Sequence, residues 1–396
     1  MRFYSGMNYS QRLLCSISLF VATSFPLTIH AQVQAGGKYL AYVGTYTQEV
    51  SQSKGIYVYR FDEDSGQITS LGLAAATTNP SFVAVHPNGR FLYAANEVQN
   101  YLGPNSGGVS AFSIDRATGK LTFLNEVPSR GADPCYIIVD KAGKHVLVAN
   151  YTGGSIAVFP VLADGKLGEA TDFVQHTGHG TNPQRQEGPH AHSVDLSPDN
   201  RFAFVDDLGL DELKVYKYDS AKGSLTPNTP AFAQLDPGAG PRHFVLHPSG
   251  KFAYVVAEIG CTVTVFSVNL KSGTLQRLQT VSTLPKDFKG ENDDAEIHIH
   301  PSGKFLYASN RGHDSIAVFA IDPQKGTLTE IEDVPTQGNI PRSFEIDPTG
   351  NFLFAENQKS DDIVVFRIDS DTGKLTATGQ KLEVGSPVDV KFLKID

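Results

Sequence analysis

Short runs in which apolar and polar residues alternate recur along most of the chain, and each run ends in a turn built around glycine. Alternation with a period of two predicts strands with one face buried, and the glycine supplies the positive φ that a tight hairpin needs. The first copy is GIYVYRFDEDSGQIT at residues 55–69. The pattern returns as GVSAFSIDRATGKLT from 108, SIAVFPVLADGKLG from 155, ELKVYKYDSAKGSLT from 212, TVTVFSVNLKSGTLQ from 262, SIAVFAIDPQKGTLT from 315 and DIVVFRIDSDTGKLT from 362. Its turn glycines are Gly66, Gly119, Gly165, Gly223, Gly273, Gly326 and Gly373, spaced by 53, 46, 58, 50, 53 and 47 residues. A period near 50 fits one four-stranded blade per repeat.

A second module interleaves with the first in six complete copies, from FVAVHPNGRFLYAAN at 82 to FEIDPTGNFLFAEN at 344. The seventh copy is divided, because PVDVKFLKID closes the chain and KYLAYVGTYT opens it at Lys38. Placing both ends in one blade removes two open sheet edges. The expected fold is therefore all-β: a seven-bladed β-propeller of four-stranded antiparallel blades over residues 38–396, closed by pairing of its N- and C-terminal strands.

Composition agrees with strands and tight turns: 37 Gly, 24 Phe and 15 Tyr, with no Trp. The formal charge of −9 and the absence of a basic block exclude a nucleic-acid backbone partner. Before residue 38 stands a different kind of segment. Arg2 and Arg12 precede an apolar run from Leu13 to Leu27, and Ala31 offers a small residue for cleavage. Residues 1–31 are read as a secretory signal and 32–37 as a short linker. The run is too short for a membrane span and contains Pro26, so no membrane partner is expected once the signal is removed. The mature chain then carries −11 and is expected in the periplasm or secreted, as a monomer or weak dimer. Cys135 and Cys261 remain, lie in distant repeats and read as buried small residues rather than a disulfide framework.

The repeat locates the channel mouth. Counting back six residues from the turn of the second module gives the start of each inner strand: Ser81, Cys135, His192, Arg242, Ala295 and Arg342. The following strand runs back to end at Glu97, Tyr151, Leu208, Glu258, Arg311 and Gln358, with Asn96, Asn150, Asn310 or Asn357 before four of them. Charges thus gather where the scaffold does not require them, and buried charge is costly unless it is paired or meets a ligand. The asparagines have two readings, ligand contact or ties between blades. His86, His247 and His300 recur beside the turn and read as backbone-bonding groups. The stretch HTGHGTNPQRQEGPHAH, residues 176–192, breaks the period and reads as a loop over the mouth that brings in His190 and His192. Metal binding by His176 and His179 is weighed against this and set aside for want of carboxylate partners.

The segments GPHAHSV, GPRHF, VVAEIG, SNRGHDSIAVF and IPRSFEIDPTG, with the opening YVGTYT, resemble the seven-bladed propeller lactonases. These include propeller-type 6-phosphogluconolactonases and carboxymuconate lactonizing enzymes, and the resemblance covers nearly all of the mature chain. It implies ring opening of a sugar lactone without metal or organic cofactor, with His192 or His190, Glu258, Arg242 and Arg311 as catalytic residues. Arg342, Asn150, Asn310 and Glu97 are expected to join His190 in binding substrate. The export signal sits poorly with a phosphorylated, cytoplasmic metabolite. No Gly-x-Ser-x-Gly elbow is present, which argues against a serine nucleophile. Muconate-type cycloisomerisation and ligand binding without catalysis are the alternatives.

Overall fold

The computed structural model describes residues 37–48, 51–101 and 103–395. The expected signal and linker lie outside these residues apart from Gly37. Every regular element described is a strand, 28 in all, numbered β1 to β28 in chain order, and they form seven four-stranded sheets. Six sheets use four consecutive strands. The seventh runs in the order β28 (Pro387–Lys394), β1 (Tyr39–Thr45), β2 (Gly55–Phe61), β3 (Ile68–Ala76), so the two ends of the chain close the ring. Antiparallel pairing from Tyr39↔Lys394 to Thr45↔Pro387 makes this closure.

The innermost strands are β4 (Pro80–Val85), β8 (Pro134–Val139), β12 (Ala191–Leu196), β16 (Pro241–Leu246), β20 (Asp293–Ile299), β24 (Pro341–Ile346) and β28, each packed against the next around the axis. The blades are held by seven apolar clusters, each drawing on two adjacent blades. One of them joins Phe305, Tyr307 and Val318 of the sixth blade along the chain, counted with β1 in the first, to Phe344, Leu353 and Phe366 of the seventh. The core is therefore a ring of interfaces, not a single centre, as repeat architectures require.

The repeated turn explains why the pattern was so regular. In five copies an Asp four residues before the glycine accepts backbone N–H groups inside the turn, as Asp62 does from Asp64 and Ser65. The glycine that follows takes φ between 64° and 86° in all seven. It also lies against a neighbouring blade: a Cβ on Gly326 would meet the ring of Phe252 at 2.4 Å, and Tyr254 donates to the Gly326 carbonyl at 2.9 Å. In the turn of the second module, His86, His247 and His300 bond the carbonyls of Gly143, Gly303 and Gly350 in the next blade, at 2.9, 2.9 and 2.8 Å. Among the described residues no helix is long and apolar enough to cross a membrane.

Candidate active site

Five of the seven inner strands carry a register irregularity at their second residue, where Ser81, Cys135, His192, Arg242 and Arg342 stand. A bulge re-aims the side chain it carries. Here it turns these residues toward one end of the channel. The adjoining strands β5 (Phe91–Asn96), β9 (His145–Asn150), β17 (Phe252–Ala257) and β21 (Phe305–Arg311) deliver Glu97, Tyr151, Glu258 and Arg311 to the same end. All of them but Ser81 and Arg242 help to wall a pocket of about 320 Å³.

Glu258 is its electrostatic centre. Its Oε2 accepts from Arg242 Nε at 2.9 Å and lies 2.9 Å from Arg311 Nη2, while Oε1 accepts from Arg185. Burial alone would raise this carboxyl, but Arg311, Arg242, Arg185 and Arg342 hold it at about 2. Arg242 is fully enclosed, donates also to the Ala295 carbonyl at 2.7 Å, and lies beneath Glu258 rather than in the pocket wall. Burial and the nearby Arg311 and Arg342 pull its guanidinium down to about 10.

His192 stands beside this cluster, with Nε2 3.9 Å from Glu258 Oε2 and Nδ1 3.8 Å from Cys135 Sγ. Burial, and then Arg242, His243, Arg342 and Arg311, push its pKa well below the ordinary histidine value. The imidazole is thus neutral and free to accept a proton. Burial raises the Cys135 thiol, which stays protonated. Across the pocket, Tyr46 donates to Glu97 Oε2 at 2.8 Å, and Arg342 stacks over the Tyr46 ring at 5.3 Å with Nη2 3.8 Å from Glu97 Oε1.

Not every expected residue arrives. Asn150 and Asn310 are fully buried outside the pocket and donate to the carbonyls of Ser129 and Thr283, in loops leaving the preceding blade, at 3.2 and 3.0 Å. Asn96 and Asn357 make the equivalent ties to Thr78 and Thr336. Substrate contact by Asn150 and Asn310 is therefore corrected to blade-to-blade bonding. His190 stacks on Tyr151 with ring centroids 4.6 Å apart and bonds the Tyr151 carbonyl, one layer behind the wall. His176 is held by Asp207 at 2.5 Å and Tyr216 at 3.0 Å. Among the described residues no group of three or more His, Cys, Asp or Glu is arranged to hold a metal ion.

The sequence reading missed Arg185, Tyr46 and Asp293. Arg185 comes from the period-breaking loop of residues 176–192. Gln186 pins that loop by donating to the Leu208 carbonyl and Asp211 while accepting from Thr181 and Asn182. The pinned loop hangs Arg185 over Glu258 and Asp293. Deeper in the channel, the rings of Phe82, Tyr136 and His243 meet across the axis, with centroids 4.3 to 6.1 Å apart, and close the pocket from below.

The profile of the family described as "Lactonase, 7-bladed beta-propeller" matches residues 40–392. A 6-phosphogluconolactonase of Bacillus subtilis is 41% identical over 308 residues, 78% of this chain and 84% of that protein. One from Formosa agariphila is 38% identical over 77% of this chain and 85% of its own length. Among solved structures, the periplasmic gluconolactonase of Pseudomonas aeruginosa is 36% identical, superposes with a TM-score of 0.84, and covers 90% of this chain and 99% of its own. Matched from its first strand to its last by the family profile and carrying the ring of blades that profile describes, the chain belongs to the seven-bladed β-propeller lactonases.

Proposed function

We propose that the protein hydrolyses the ring ester of a sugar lactone in the axial pocket, with His192 as general base. The observation that carries this reading is a neutral imidazole beside a carboxylate already saturated by guanidinium groups. The named activities of the relatives support it from a separate direction.

Water enters over the lactone carbonyl and loses a proton to His192 Nε2 as its oxygen bonds to the carbonyl carbon. This requires the tautomer with hydrogen on Nδ1, which faces Cys135 Sγ. Negative charge moves to the carbonyl oxygen, where Arg311 in the wall stabilises it. Collapse of the tetrahedral intermediate breaks the ring C–O bond, and the imidazolium returns its proton to the departing ring oxygen. The product is the open hydroxy acid. Base catalysis of this kind contributes roughly 10²- to 10⁴-fold. Glu258 holds Arg242, Arg311 and Arg185 in place and favours the transient imidazolium by its charge. Both of its oxygens are taken up by those guanidinium groups, so neither is left to receive the proton of the water.

Proton release from glucono-1,5-lactone tests the reading directly. Turnover that survives unchanged in both His192→Ala and Glu258→Gln, with a sugar acid still bound, would make the pocket a binding site only. Residues 1–31 are read as an export leader, in keeping with the periplasmic name of the Pseudomonas relative. N-terminal sequencing of protein recovered from the periplasm checks that: the expected product begins near Gln32.

A further inference from the structure

We propose that Glu97 makes the pocket select an electrically neutral lactone over its phosphate ester, an inference that rests on the lactonase reading and specifies its substrate class. The wall holds three guanidinium groups, Arg185, Arg311 and Arg342, and three carboxylates, Glu97, Glu258 and Asp293. Each cation is already engaged. Arg185 pairs with Glu258 and Asp293, Arg311 with Glu258 and the Asp294 carbonyl, and Arg342 with Glu97. Beneath the wall, Arg242 is faced by Glu258 and, through its field, by the buried Glu296. Taken with a neutral His192, the assembly has no surplus positive charge.

Ring opening creates one negative charge, at the carbonyl beside the Glu258 cluster. A phosphate monoester would bring a further charge of about −1.5 to −2 with no unpaired guanidinium to meet it. Arg342 is the group that could serve, and Glu97 neutralises it. Glu97 is fixed there because Tyr46 donates to its Oε2 at 2.8 Å while Arg342 lies over the Tyr46 ring. The same carboxylate offers lone pairs to sugar hydroxyls and repels phosphate. The repeat does not impose it, since the equivalent residues in other blades vary: Tyr151, Leu208, Glu258, Arg311 and Gln358.

The test compares kcat/KM for glucono-1,5-lactone and its 6-phosphate in the wild type, Glu97→Gln and Tyr46→Phe. The wild type is expected to prefer the neutral lactone. Glu97→Gln, which keeps the shape and frees the charge of Arg342, shifts the ratio toward the phosphate ester by about tenfold or more. Tyr46→Phe, which keeps the carboxylate but removes the hydroxyl that fixes it, shifts the ratio the same way by less than Glu97→Gln does. Inorganic phosphate supplies a second readout as a competitor, weak against the wild type and about tenfold stronger against Glu97→Gln. A wild type that favours the phosphate ester or is strongly inhibited by phosphate overturns the proposal. So does an unmoved ratio in Glu97→Gln with both lactones still hydrolysed. No turnover of either lactone by the wild type sinks the lactonase reading itself, and this one with it.

Discussion

A carboxylate that receives three guanidinium groups gives up its basicity, and an imidazole placed beside those cations gives up its charge. Glu258 and His192 divide these two consequences between them. For activity the sign is simple. His192 works neutral and its pKa lies well below the usual histidine range, so kcat/KM should stay level from about pH 6 to 8 and fall only in stronger acid. A pH–rate profile with a midpoint between 6 and 7 would place the proton on another group. His192→Ala should lower kcat by roughly 10²-fold or more with little change in KM, measured by proton release. For stability Asp206 behaves in the opposite way to Glu258. Burial raises Asp206 to about 8, with one oxygen bonded by Ser193 at 3.0 Å and the other without a partner. Its contribution is complete below about pH 4 and is lost as pH rises through 8. Asp206→Asn should therefore flatten the fall of Tm between pH 5 and 9, which a thermal-melt series would reveal.

At the scale of the element, one turn glycine does two jobs that a comparison can separate. Gly326 has φ of 72° and lies under Phe252, whereas Gly379 has φ of 81° with nothing within 4 Å of the position a Cβ would take. Gly379→Ala should cost about 1 kcal/mol from backbone strain alone. Gly326→Ala should cost roughly 1–3 kcal/mol more, because the ring must move from a packed interface. Equal losses in denaturant titration would deny the blade contact its role. The same regularity made these turns legible in the sequence: period-two alternation, an Asp four residues upstream and a glycine with positive φ are all local. The channel positions could be counted from them, and His192, Arg242, Glu258, Arg311, Glu97 and Arg342 do converge. Arg185 was hidden because the loop that carries it has no repeat to count along. Its position depends on Gln186 gripping backbone groups on both sides, a tertiary contact without a periodic signature. Asn150 and Asn310 misled for the converse reason. An amide at a strand end satisfies a neighbouring loop as readily as a ligand, and only burial decides between the two.

Across the whole molecule, stability is spread over seven similar interfaces and depends on the ring being shut. Deleting residues 387–396 removes the innermost strand of the closing blade. It also leaves β1 with a bare edge and two neighbouring interfaces half covered. Loss of a cooperative melt and concentration-dependent association are expected, visible by calorimetry and light scattering. Retention of a single sharp transition would show that the open array holds without its closure. The rings of Phe82, Tyr136 and His243 carry a different consequence. By blocking the bore they turn the reaction chamber into a cul-de-sac, so fuel and exhaust share one doorway. The hydroxy acid must back out past Arg185 before another sugar can come in, and as it accumulates it should inhibit turnover in direct rivalry with the lactone.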